Sequence, residues 1–140
     1  MKYFATIDTN VLVSAALKPI SNPGAILKLV DDGVVIPLVN NQILSEYQNV
    51  LSRPKFAFPK ELVEKLLEIL KRSAIFIQEK HIDIALPDEK DRVFYEVTMT
   101  SRTSRESKLI TGNIKHFPSK HFIITPKDFC ENIFRNSAAS

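Results

Sequence analysis

Several things are scarce in this chain, and each scarcity removes a class of function. The 140 residues hold one cysteine, Cys130. No disulfide framework can form within the chain, cysteine-rich zinc modules are excluded, and a reducing, cytoplasmic setting is expected. Only three glycines occur, Gly24, Gly33 and Gly112, which leaves no glycine-rich phosphate loop of the P-loop or dinucleotide type. No apolar run approaches the roughly 18 residues of a membrane span. The N-terminal stretch Met1–Ile7 is short and Asp8 interrupts it at once, so it does not read as a signal peptide. A large charge excess is missing too. Nineteen Lys and Arg against sixteen Asp and Glu give a net charge of +3. That excludes a polybasic protein and makes the distribution of charge more informative than its sum.

What is present suits one globular domain. The chain is 44% apolar and 25% charged, close to the averages for folded soluble proteins, and its length is that of a single domain. The domain is expected over 1–135, with 136–140 a small-residue, disordered tail. Eight prolines and a set of capping residues delimit the elements. Strands are expected over 2–7, 34–39, 74–77, 108–111 and 122–124. Helices are expected over 10–17, capped near Thr9, and from Asn22-Pro23 to Asp32, stopping at Gly33. Asn40 caps a helix over 41–52, and Pro59 opens another in which Leu62, Val63, Leu66, Leu67, Ile69 and Leu70 recur at helical spacing. A further helix runs from Pro87 to about Thr100, and a last one from Thr125-Pro126 to about Arg135. Strands separated by helices predict a three-layer α/β/α sandwich with a central parallel sheet of four to five strands. In such sheets the functional crevice lies at the carboxyl ends of the strands.

Acids collect at that edge. Asp8 directly follows the first strand. Asp88, Glu89 and Asp91 begin the helix leading to the fourth strand, where acids also simply complement the helix dipole. Asp91 differs: it precedes Phe94 and Tyr95 by three and four residues, on the sheet-facing stripe. Glu46 shares a helix face with Ile43 and Val50, and a carboxylate beside an apolar stripe needs compensation. After the fourth strand, Thr111-Gly112-Asn113 offers a sharp turn at Gly112 and an amide oxygen at Asn113, or a plain strand-to-loop turn. Asp8, Glu46, Asp91 and Asn113 can therefore converge. Gathered carboxylates raise one another's pKa. A hard divalent cation removes that penalty, and oxygen donors suit Mg²⁺ or Mn²⁺ rather than zinc. Such a centre holds phosphate oxygens and activates water for in-line attack.

The same segments resemble a known family. Ile7-Asp8-Thr9-Asn10-Val11-Leu12 looks like the opening motif of PIN domains, and Ile43-Leu44-Ser45-Glu46-Tyr47 like their second acidic motif. Leu86-Pro87-Asp88-Glu89-Lys90-Asp91-Arg92-Val93-Phe94-Tyr95-Glu96 resembles the third, and Leu109-Ile110-Thr111-Gly112-Asn113-Ile114-Lys115-His116-Phe117-Pro118 the fourth. The closing Ile124-Thr125-Pro126-Lys127-Asp128-Phe129 fits a branch described as toxin components of prokaryotic toxin–antitoxin pairs. The resemblance covers essentially the whole chain. It implies an α/β/α sandwich that is an Mg²⁺- or Mn²⁺-dependent endoribonuclease acting on single-stranded RNA, with a cognate antitoxin and a second copy of the chain as protein partners. It further implies Asp8, Glu46 and Asp91 as catalytic, metal-binding acids, Asn113 as a further metal ligand, and Asn10 and Thr111 in support. Many PIN domains carry an aspartate where this chain has Asn113; Asp88 is the residue that could compensate, ahead of Glu96. The alternative is a degenerate PIN domain that binds RNA or a protein partner without cleaving. No residue reads a 2′-hydroxyl, so DNA stays open as a substrate.

The positive charge divides in two. Arg102, Arg105 and Lys108 fall at the amino ends of the strands and read as solvated helix-end charge. Lys115, His116, Lys120 and His121 follow the fourth strand on the acidic edge, where Lys115, His116 and Lys120 can meet an RNA backbone. Phe117 beside them either stacks a base or packs. Lys55 and Lys60, near Phe56 and Phe58, form another lip. The apolar stripe of helix 60–72 reads as core, with a surplus available for a dimer or an antitoxin peptide. Two rival phosphate chemistries fail on named residues. A haloacid-dehalogenase-like phosphatase needs a second acid where Asn10 stands. A receiver-type phosphoacceptor needs an acidic pair near the first strand and a lysine after the fifth, where only Lys127 is near.

Overall fold

A computed structural model describes residues 1–139 of the chain. Five strands, β1 (Tyr3–Ile7), β2 (Val35–Val39), β3 (Ile75–Phe76), β4 (Ser107–Ile110) and β5 (Ile123–Ile124), form one sheet in the order β3-β2-β1-β4-β5. Every pairing is parallel. Six α-helices connect and cover them: α1 (Thr9–Leu17), α2 (Asn22–Asp31), α3 (Asn41–Leu51), α4 (Lys60–Arg72), α5 (Arg92–Arg102) and α6 (Pro126–Ala139). The expected α/β/α sandwich is therefore what the chain builds. β2 is buried along its whole length, as a strand covered on both faces must be.

The order of the strands places the crevice. After β1 the chain passes through α1 and α2 to β2 on one side, and after β4 it passes to β5 on the other. Right-handed crossovers then put α5 on the opposite face from α1, α2 and α4. Accordingly α5 packs on β1, β2 and β4, while α2 packs against α1, α4 and α6. The carboxyl ends of β1 and β4 flank the point where the connections diverge, and a ligand crevice belongs there. α3 touches α1, α4 and α5 and so bridges the two helical layers beside it.

The local signals explain most boundaries. Asn40 caps α3, its Oδ1 accepting from Ile43 N at 2.8 Å. Gly33 takes the left-handed φ of 78° that ends α2. Four expectations need correction. Ser21, not Asn22, caps α2, accepting from Gly24 N at 3.1 Å. The single helix expected from Pro87 is a 3-10 turn, Glu89–Asp91, followed by α5. There the Asp88 side chain takes the N–H of Lys90 at 3.0 Å, a local bond that competes with α-helical geometry. Gly112 has no positive φ and an open surround, so the turn after β4 does not require glycine. At the C-terminus α6 runs to Ala139, past the expected end at Arg135, and Asn136 Nδ2 donates to the Tyr3 hydroxyl at 3.2 Å. Of the tail expected over 136–140, Ser140 lies outside the described residues.

Between β3 and the Asp88 turn the chain has no regular structure, yet its polar groups are satisfied. Lys80 N donates to Thr100 Oγ1 at 3.0 Å and Ile82 N to the buried Glu96 Oε2 at 2.8 Å. The Arg92 guanidinium donates to the carbonyls of Ile82 and Ile84 while pairing with Glu89. α5 thus carries a row of side chains that strap this segment down. Glu96 belongs to that row and not to the acidic edge, as its position five residues beyond Asp91 implied.

The stripe of α4 is spent in the core: Leu66, Leu67, Ile69 and Leu70 are all buried, which leaves no surplus there for a partner. Gly24, at the start of α2, lies under the preceding loop, and a Cβ there would sit 1.8 Å from the Pro19 carbonyl oxygen. Gly24→Ala is expected to cost about 1–3 kcal/mol of stability through overpacking against backbone. Thermal unfolding of the variant checks this, and an unchanged midpoint would show that the loop yields freely.

Candidate active site

The candidate residues meet where β1 and β4 end. Asp8 N donates to Ile110 O at 2.9 Å, which fixes the two strand ends side by side. Thr111, the residue after β4, donates its hydroxyl to Asp8 Oδ2 at 2.7 Å. Its Oγ1 also accepts from Asn113 N at 3.0 Å. Asp8 is 5% exposed and Thr111 fully buried. Burial holds the Asp8 carboxyl above the usual carboxylate range, opposed by the Thr111 hydroxyl, the amides of Thr9 and Asn10, and His116.

Glu46 arrives on α3, and its neighbour sets its position. Tyr47 is fully buried and donates its hydroxyl to Ile7 O at 2.5 Å. Burial foremost, then the charges of Asp8 and Glu46, push the Tyr47 hydroxyl far up, so it remains a donor. With α3 pinned to the end of β1, Glu46 faces the start of α1. There the buried Thr9 donates Oγ1 to Glu46 Oε2 at 3.0 Å.

Asp91 comes from the 3-10 turn as the N-cap of α5. His116 Nδ1 lies 3.1 Å from Asp91 Oδ2. The Asp91 carboxyl is also raised, by burial first, then by the charge of Asp8, with Asp88 adding to it and His116 opposing. Each acid is therefore held through one oxygen by one side chain of another segment: Thr111 on Asp8, Thr9 on Glu46, His116 on Asp91.

The remaining candidates divide. Asn113 is half-buried beside Thr111, and its side-chain amide makes no hydrogen bond among the described residues. Asn10 is exposed and likewise unbonded through its side chain; the support expected of it comes from Thr9. Asp88 is exposed and caps the 3-10 turn; its carbonyl accepts from Asp91 N at 3.1 Å, and its side chain acts on the Asp91 carboxyl through its charge. Lys115 and Lys120 are exposed on the same edge and form no ion pair among the described residues. His116 is engaged by Asp91. Phe117 is buried and so packs; it does not stack a base. Arg102 lies over the Phe122 ring and donates to Ser107 O at 2.6 Å, and Arg105 donates to Ser101 Oγ at 2.9 Å, so these two are partly buried structural groups and not the solvated helix-end charge expected. The sequence reading missed Thr9 and Tyr47. Tyr47 had one signal, since a tyrosine on an apolar helix face brings a hydroxyl that must find a partner.

Among the described residues, no group of three or more His, Cys, Asp or Glu is placed so that it could hold a metal ion. Mg²⁺ does not need such a group, because it keeps most of its waters and binds through one or two carboxylates. Two carboxylates with raised pKa, Asp8 buried and Asp91 partly buried, fit that requirement, and the all-oxygen donor set suits a hard cation.

One consequence is measurable without a ligand. Because burial raises the Asp8 pKa in the folded state, the charged form is penalised on folding. That penalty is full above the raised folded value and vanishes below the unfolded value near 3.8. In EDTA at neutral pH, Asp8→Asn is expected to unfold at a higher temperature than the wild type. The gain should shrink toward zero as the pH falls through the raised value toward 3.8. Thermal melts across pH test this; a variant less stable at pH 7 would contradict it.

A family profile described as PIN domain matches residues 5–115. No curated protein and no solved structure gives a match. The matched span contains Asp8, Glu46, Asp91 and Asn113 with the helices and strands that bring them together. With most of its length matched and a five-stranded parallel α/β sandwich built around that edge, the chain belongs to the PIN-domain family.

Proposed function

We propose that this chain is a metal-dependent endoribonuclease that hydrolyses phosphodiester bonds of single-stranded RNA, as the toxin of a toxin–antitoxin pair. The observation that carries the reading is the set of three acids at the β1–β4 switch, each held through one oxygen by a single side chain. A PIN domain is a nuclease-type fold, and an all-oxygen acidic edge is the donor set that phosphodiester hydrolysis uses.

Asp8, Glu46 and Asp91, with the Asn113 amide oxygen, would hold Mg²⁺ or Mn²⁺, which supplies Lewis acidity toward a phosphate oxygen and a lowered pKa for water. Thr111 and His116 each engage one oxygen, of Asp8 and of Asp91. Thr9 holds Glu46 in the same way, and its second oxygen can take the proton of an attacking water. No side chain is needed as a covalent nucleophile. Lys115 and Lys120 border the edge and can bind phosphates. A cognate antitoxin and a second copy of the chain complete the partners, met by the exposed Leu17, Ile20 and Phe134 since the α4 stripe is unavailable. No helix among the described residues is long and apolar enough to cross a membrane.

Asn113 supports the second reading, a PIN domain that binds without cutting, because it brings no charge where an acid would help to hold a cation. Purified protein is expected to cleave single-stranded RNA with Mg²⁺ or Mn²⁺ and to stop in EDTA. Asp8→Asn should lower the rate at least about 100-fold. Equal rates for Asp8→Asn and wild type would remove the assignment, and a single-stranded DNA arm sets the substrate. Asn113→Asp is expected to tighten Mn²⁺ binding by about an order of magnitude, since ligand charge sets affinity. Calorimetry measures it, and unchanged affinity would place residue 113 outside the metal's reach.

A further inference from the structure

Glu46 has a second neighbourhood, which does not include Asp8. A cavity of about 340 Å³ opens between α3 and the 3-10 turn that carries Asp91, and Glu46 is part of its wall. Along α3 the wall continues through Gln42 and Asn49, which with Glu46 fall at helical spacing on one face, and Arg53, just past the end of α3, extends it. Lys90, the residue before Asp91, closes the other side. The floor is aliphatic, made by the buried Val50 and Val93. Arg53 and Lys90 are exposed and form no ion pair among the described residues. The cavity thus shares one wall residue with the acidic edge and carries two uncommitted cations at its rim.

From this arrangement we infer that the cavity is a nucleotide subsite, which takes the base next to the scissile phosphate of a single-stranded RNA and discriminates between bases; the inference rests on the ribonuclease reading. Its volume falls at the lower end of the about 300–1,000 Å³ of small-molecule pockets, the scale of one base with its sugar. An aliphatic floor accepts the flat face of a base. The amides of Gln42 and Asn49 each offer a donor and an acceptor to its edge, which only an unpaired strand presents. Arg53 can stack on the base or pair with a phosphate, and Lys90 can meet the next phosphate. Lys115 and Lys120 flank the acids from the other side, so the strand would run from them across Asp8 and Asp91 and past Glu46 into the cavity.

Binding is measured in EDTA with labelled homopolymers of A, C or U, and cleavage in parallel with Mn²⁺; thermal melts confirm that each variant is folded. Arg53→Ala with Lys90→Ala is expected to weaken binding to every RNA about tenfold and to lower the salt slope by about 1.4, two phosphate contacts at about 0.7 each. Gln42→Ala with Asn49→Ala should level the affinities among the three RNAs and leave the salt slope unchanged. Lys28→Ala, whose partner is Asp32 on α2, is the control. The subsite is overturned if the Arg53 and Lys90 variant binds like Lys28→Ala with the same slope. The base-reading role is overturned if the wild type shows no preference, or keeps its preference in the Gln42 and Asn49 variant. Normal binding by these variants, with wild-type cleavage that Asp8→Asn abolishes, would sink the subsite and leave the ribonuclease reading standing. Lost binding in the variants of a wild type that binds but never cuts would do the reverse. A wild type that neither binds nor cuts removes both.

Discussion

The buried carboxylate of Asp8 is the constraint around which this fold is arranged. A sheet that places an acid at the end of a central strand must satisfy it away from water, where an unpaired charge is expensive. The chain does so with neutral groups. β4 lies beside β1 so that Thr111 reaches Asp8, and the ladder bond from Asp8 N to Ile110 O fixes their register. These bonds offset part of the desolvation and not all of it, because the carboxyl stays raised. The residual imbalance makes the site a place where stability is given up, and under the proposed reading a cation would relieve it.

The other acids depend on the same strand. Tyr47 bonds to the carbonyl of Ile7, one residue before Asp8, so the helix that carries Glu46 is referenced to the atom chain that carries Asp8. Asp91 is referenced differently, through α5. That helix packs on β1, β2 and β4 and straps the irregular segment before it with Arg92, Glu96 and Thr100. The buried hydroxyls of Thr6 and Thr98, 2.7 Å apart, tie α5 to β1 again. A loop acid thereby acquires a position as defined as one on a strand.

The parts of this that could be read from the sequence are those with a local code. Strand 34–39, the Asn40 cap, the stop at Gly33 and the stripe of α4 are each written within a few neighbouring residues. The acids were legible as well, because an acid just after a strand or on an apolar face is out of place unless something compensates it. The partners of those acids were not. Thr9 meets Glu46 and Tyr47 meets Ile7 across about forty residues of chain, and His116 meets Asp91 across twenty-five; no periodicity encodes such pairs. The 3-10 turn at Glu89–Asp91 failed for another reason. Its cap, Asp88, looks identical to the cap of an ordinary helix, and only the competition from its side chain diverts the first turn.

That diversion bears on how two carboxylates can share the edge. Asp8 is the N-cap of α1 and Asp91 the N-cap of α5. The amides of Thr9 and Asn10 favour the charged Asp8 carboxyl but do not offset its burial, and the Asp91 side chain makes no capping hydrogen bond to α5, so helix capping is not the whole explanation for either acid. Their oxygens turn outward, to Thr111 and to His116, while the positive ends of both helices stay directed at the crevice. Had α5 begun at Asp88, Asp91 would lie within the first turn, and its carboxylate would point along the sheet-facing stripe beside Phe94 instead of toward β4. The short turn sets the helix start at the residue whose charge the crevice needs. The same partial positive charge that tolerates two acids there also favours an anionic phosphate. The acidic edge is thus balanced first by the backbone and only then by lysines at its border.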